Sequence, residues 1–130
     1  RKEVAGLIKK FIELRTKAKS PYRTRFMMLS QEGLEELQER LADRTLGIQA
    51  MRVLVAMMQS LDWENRVEPP AKELAARLNM SVQEVYKASK VLVECGFIER
   101  MANRRGWYRV SPRLCWKGSV KNLEKELEAA

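Results

Sequence analysis

A chain of 130 residues with 45% hydrophobic and 32% charged side chains is long enough to bury one compact core and too apolar to read as disordered. It contains no histidine, which removes every Ser-His-Asp or Cys-His arrangement and every histidine metal ligand. The net charge of +8 draws the chain toward polyanions and is uneven: residues 1–25 hold nine basic and two acidic groups (+7), residues 26–75 five and nine (−4), and residues 76–130 eleven and six (+5).

Over residues 3–17, Val4, Leu7, Ile8, Phe11, Ile12 and Leu14 recur at helical spacing opposite Lys2, Lys9 and Lys10. That spacing predicts an amphipathic helix, which Ser20-Pro21 ends. The apolar run from Phe26 to Leu29 suits a short strand, after which Ser30 caps a helix with Leu34, Leu37 and Leu41 on one face. A break is expected over residues 43–45. Residues 46–61 are the most apolar, with Met51, Leu54, Val55 and Met58 on one side and Val53 and Met57 on others. This predicts a central helix buried nearly all round, its methionines serving as packing.

The pattern changes at Arg66. Arg66-Val67-Glu68 forms a short strand ended by Pro69-Pro70. A compact helix follows over residues 71–78, then the turn Asn79-Met80-Ser81 and a second helix over residues 82–94. Ser81 and Glu84, three apart before an apolar series, form a capping box, Asn79 tolerates the left-handed backbone of such a turn, and Gly96 closes the second helix. Residues 97–101 and 107–111 are strand candidates around the basic tip Ala102-Asn103-Arg104-Arg105-Gly106.

Two helices joined by a tight turn must bury a shared set of side chains. Leu74, Leu78, Met80, Val85 and Ala88 occupy the inward positions, with small Ala75 where the helices approach. Followed by a hairpin, this predicts a winged helix-turn-helix: a mainly α fold with a small antiparallel β-hairpin (α+β) and flanking N- and C-terminal helices. In that fold the second helix enters the major groove and the wing reaches phosphates or the minor groove. With Val85, Ala88, Leu92 and Val91 turned inward, the DNA-facing candidates are Val82, Gln83, Tyr86, Lys87 and Lys90, with Arg104 and Arg105 on the wing. Gln83 has the geometry to read adenine bidentately, while Val82 and Tyr86 suit a thymine methyl or a sugar. Lys87 and Arg105 fit contacts; Lys90 fits a solvated face equally well.

From residue 51 to residue 119 the sequence resembles the RepL family of plasmid replication proteins. The matching stretches are Leu61-Asp62-Trp63-Glu64-Asn65, Lys72-Glu73-Leu74-Ala75, Asn79-Met80-Ser81, Gly96-Phe97-Ile98-Glu99-Arg100, Tyr108-Arg109-Val110, Ser111-Pro112 and, most distinctively, Trp116-Lys117-Gly118. The lead-in Phe26-Met27-Met28-Leu29-Ser30-Gln31 is similar to that family as well. The helix-turn-helix portion is shared with MarR-like repressors, so the flanks carry the plasmid assignment. The resemblance implies DNA binding in replication initiation or in control of plasmid genes. The sequence departs from the pattern at Pro70, where a capping serine is usual, at Val82, where arginine is frequent, at Glu84, and at Ser89, which replaces an aliphatic residue. These departures bear on which bases are read more than on the fold.

Other functional classes find no support. Cys95 and Cys115 stand without a second pair, the six glycines are scattered singly, and no apolar run is long enough for a membrane span or a signal peptide. The expectation is a cytoplasmic, bacterial, non-enzymatic protein without cofactor or metal, acting on double-stranded DNA and meeting host replication or transcription proteins. A MarR-like repressor is the alternative reading, and a winged helix used for protein interaction a more distant one. Residues 1–20 form the N-terminal helix, 21–44 a strand-helix lead-in, 45–118 the DNA-binding domain and 119–130 a C-terminal helix, whose Leu123 and Leu127 make a weak stripe. The N-terminal apolar stripe is expected to form a homodimer interface, as palindromic sites favour; packing on its own domain is the alternative, and a membrane-surface helix a third reading, which the narrow apolar face without tryptophan disfavours.

Overall fold

The computed structural model describes residues 26–67 and 71–129. The N-terminal helix expected over residues 3–17, the stop at Ser20-Pro21, Glu68 and the Pro69-Pro70 break lie outside them. The element order is β1 (Met28–Leu29), α1 (Gln31–Ala42), α2 (Ile48–Gln59), a 3-10 turn (Trp63–Asn65), β2 (Arg66–Val67), α3 (Ala71–Leu78), α4 (Val82–Glu94), β3 (Ile98–Arg100), β4 (Tyr108–Val110), β5 (Cys115–Trp116) and α5 (Val120–Ala129). Helices dominate, and the strands form two small antiparallel sheets, β2-β4-β3 and β1-β5. Helix-turn-helix followed by hairpin gives the α+β, winged-helix-like arrangement that the sequence predicts.

Local chemistry sets the helix ends. Ser30 caps α1, its Oγ accepting from the Gly33 N–H at 3.1 Å. Gly33 sits so close to the chain before β5 that a Cβ there would lie 2.5 Å from the Arg113 carbonyl oxygen, so only glycine fits. At the other end Asp43 receives the Thr45 N–H and hydroxyl, and both bonds hold its carboxyl below the usual range. Helices α3 and α4 finish alike. In α3, Asn79 takes φ +54° and Met80 N–H returns to the Ala75 carbonyl at 2.9 Å. In α4, Gly96 takes φ +81° while Gly96 and Phe97 N–H return to Val93 and Leu92, both at 3.0 Å. Both are reversals that use a left-handed residue to satisfy the last carbonyls.

The core lies between α2, α3, α4 and the inner face of the three-stranded sheet. One sequence expectation is corrected here. Helix α2 is not buried all round: Ala50, Val53, Leu54 and Met57 face inward at i, i+3, i+4 and i+7, while Ile48 is 75% and Val55 51% exposed. Helices α3 and α4 cover one side of α2, and Val55 falls on the other. In α1, Leu37 is buried, but Leu34 and Leu41 stay exposed, because the close approach to the rest of the protein is made by Gly33.

Behind the hairpin, the stretches around Asn65, Val110 and Trp116 form one interlocked unit. Asn65 is fully buried; its amide donates to the carbonyls of Val110 (3.0 Å) and Cys115 (2.6 Å), and its carbonyl accepts from Lys117 N–H (2.8 Å). Lys117 Nζ reaches the Leu61 carbonyl at 2.8 Å, and Trp116, buried, donates its indole N–H to the Ser119 carbonyl at 2.9 Å. Gly118 lies against the Trp116 ring, where a Cβ would come within 2.8 Å of it. Helix α5 has no buried residue and docks by polar contacts: Asn122 on Glu64 (2.7 Å) and Arg109 on Glu126 (2.9 Å). The Arg109 hydrogen bond keeps the Glu126 carboxyl below its ordinary value, so this contact persists until the pH falls well into the acid range.

Candidate nucleic-acid interface

The capping box fixes where α4 begins. Ser81 Oγ accepts from Glu84 N–H at 3.1 Å, and Glu84 Oε1 accepts from Ser81 N–H at 3.3 Å. Glu84, which the sequence places near the DNA face, is thereby folded back over the helix start. Val85, Ala88, Ser89 and Leu92 are buried, and Ser89, the polar one, satisfies its hydroxyl on the Val85 carbonyl at 2.9 Å.

Gln83, Tyr86, Lys87 and Lys90 stand at i, i+3, i+4 and i+7 of the same helix and are all exposed, Tyr86 by 59%. At about 100° per residue they form a stripe diametrically opposite the buried one. Neither lysine makes an ion pair among the described residues. The stripe therefore combines an amide that both donates and accepts, a half-apolar ring with a hydroxyl, and two ammonium groups open to solvent. That set suits base edges, sugars and phosphates. Val82 is placed differently: it is half-buried and packs on the core, off the centre of the stripe.

The tip of the hairpin is a second basic group. Strands β3 and β4 pair Ile98 with Val110, Glu99 with Arg109 and Arg100 with Tyr108. The loop closes through Met101 N–H to the Trp107 carbonyl (3.1 Å), with Gly106 at φ +84°. Arg104 lies over the Trp107 ring at 4.9 Å, which restrains its guanidinium, and Arg105 is exposed and without an ion pair among the described residues. Arg100, exposed at the end of β3, adds a cation that is not among the candidates drawn from the sequence. Its signal is its place at the end of β3, next to the basic tip.

Three other basic residues, Arg52, Arg77 and Arg109, are held by neighbours. Arg52 donates to the Leu78 carbonyl at the end of α3 and to Gln49 (2.7 Å), and Arg77 donates to Ser60 Oγ (2.9 Å). The bonds to Leu78 and Ser60 tie α3 to α2 and so hold the helix-turn-helix in register. Arg109 is occupied by Glu126 and Glu99.

Among the described residues no group of His, Cys, Asp and Glu is placed to hold a metal, and no helix is long and apolar enough to cross a membrane. Burial pushes the Cys115 thiol up to about 12, so it stays protonated and unreactive near neutral pH.

Comparison with known proteins adds one finding. Residues 39–128 match the model of a family described as Firmicute plasmid replication protein (RepL). The match spans more than half of the chain, from the end of α1 through both helices of the motif, the hairpin and most of α5. No curated protein and no solved structure gives a match.

Proposed function

Since the chain belongs to the RepL family of Firmicute plasmid replication proteins, we propose that it serves plasmid replication by binding double-stranded DNA, with α4 as the reading helix and the β3–β4 hairpin as the wing. The observation that carries this reading is the stripe of Gln83, Tyr86, Lys87 and Lys90, set opposite the buried face of the second helix of a helix-turn-helix. Gln83 and Tyr86 meet base edges and sugars near the start of the helix. Lys87, Lys90, Arg104 and Arg105 neutralise phosphates, and Val82 contributes at the margin of the interface. The role is one of binding rather than catalysis, exercised in the cytoplasm where a plasmid resides.

Salt tests this. Each neutralised phosphate releases counterions, giving a slope of about −0.9 in log K against log salt. Four neutralised phosphates predict a slope of about −3.6, equivalent to roughly a hundredfold loss of affinity between ~50 and ~200 mM salt. Fluorescence anisotropy with a labelled duplex reads it. A flat salt response, or no binding at low salt, contradicts the proposal.

A further inference from the structure

The hairpin tip presents its two arginines differently. Three backbone bonds stitch the loop: Met101 N–H to the Trp107 carbonyl (3.1 Å), Arg104 N–H to the Met101 carbonyl (3.4 Å) and Trp107 N–H to the Arg104 carbonyl (3.1 Å). Both backbone groups of Arg104 are thereby fixed, and its guanidinium lies over the Trp107 ring at 4.9 Å. Trp107 is half-buried, while Arg104 is exposed and makes no ion pair among the described residues. Arg105 is exposed as well, but among the described residues neither a ring nor an acid holds it.

This difference decides what each arginine can read. A phosphate accepts any cation that reaches it, so Arg105 suits the backbone. A narrow groove asks for more, because the entering group must shed water and give up its rotamers. A stacked guanidinium has already lost rotamer freedom, is planar, and is more weakly hydrated than an ammonium. The minor groove of A·T tracts is narrow, and its stronger negative potential draws arginine. We infer that Trp107 is a positioning residue, holding Arg104 so that the wing selects an A·T-rich minor groove beside the site read by α4. In that groove the guanidinium lies between the phosphates of two strands, so it still releases counterions. The inference rests on the DNA-binding reading above and adds to it a preference outside the base pairs that α4 meets.

Flank substitution tests it. A duplex selected by the full chain from a randomised pool supplies the core site, and its flanks are then set to adenine tracts or to alternating G·C. Fluorescence anisotropy should show the A-tract duplex bound about fivefold more tightly. Trp107→Ala should bring the two duplexes within about twofold by weakening the A-tract complex alone. Trp107→Phe, which keeps a ring under the guanidinium, should restore most of the preference. Arg104→Lys keeps the charge and loses the planar group, so it should abolish the preference and leave the salt slope unchanged. Arg105→Ala should lower the slope and keep the preference. Equal binding of both duplexes by the wild type would overturn the inference. So would a preference that survives Trp107→Ala or Arg104→Lys, or one that vanishes with Arg105→Ala. Failure to bind any duplex would instead sink the DNA-binding reading, and this inference with it.

Discussion

Replacing Asn65 with alanine should lower the free energy of unfolding by about 4 kcal/mol, the largest effect expected of any single polar substitution in the domain. Three backbone groups depend on this side chain: the Val110 and Cys115 carbonyls and the Lys117 N–H. Leaving each without a partner in the interior costs about 1 kcal/mol or more. Asn65 also has φ +63°, and it follows Glu64 at φ +65°. Asparagine tolerates that conformation better than alanine, which adds about 1 kcal/mol. Asn65→Gly separates the two causes: it relaxes the backbone but restores no bond, so it should recover only the last ~1 kcal/mol. Urea denaturation measures both variants. A loss below about 1 kcal/mol for Asn65→Ala would mean that the three bonds do not hold β4, β5 and the following chain together.

Reversing the charge at two positions of α4 should have the largest effect on function. Lys87→Glu with Lys90→Glu replaces two attractions to phosphate by two repulsions, each change worth about 1–2 kcal/mol in a water-like medium. Duplex affinity should fall by roughly a hundredfold or more, at about 1.4 kcal/mol per factor of ten. The salt slope should shrink by about two units, one for each phosphate that is no longer neutralised. Both side chains are exposed, and glutamate is as good a helix former as lysine, so the melting transition should barely move. A double variant that folds and still binds with the original salt slope would place the interface elsewhere.

The sequence is legible wherever a neighbour a few residues away decides the outcome. The capping box of Ser81 and Glu84, the left-handed Asn79, the reversal at Gly96 and the bounds of α3 and α4 all follow from residues within one or two turns. The exposed stripe of α4 is legible for the same reason: once Val85, Ala88 and Leu92 are inside, Gln83, Tyr86, Lys87 and Lys90 are outside. Long-range partnerships are not. Asn65 bonds to residues 45, 50 and 52 positions away, so Leu61-Asp62-Trp63-Glu64-Asn65 and Trp116-Lys117-Gly118 stand out as matching patterns without revealing that they grip one another. Val55 departs from expectation because periodicity gives the faces of α2 but not how many of them neighbouring helices cover. Val82 departs more mildly: its place beside the stripe suggests exposure, whereas its side chain packs on the core.

The central claim is that the exposed stripe of α4 meets DNA, and backbone chemical shifts test it most directly. A 15N-labelled sample of the 15.1 kDa chain, titrated with duplex DNA at low salt, gives a residue-by-residue map of the contact. The largest changes should fall on Gln83, Tyr86, Lys87 and Lys90, with a second group at Arg104 and Arg105 on the hairpin tip. Changes confined to other surfaces, such as the exposed face of α2 around Ile48 and Val55, with the amides of α4 unmoved, would contradict it.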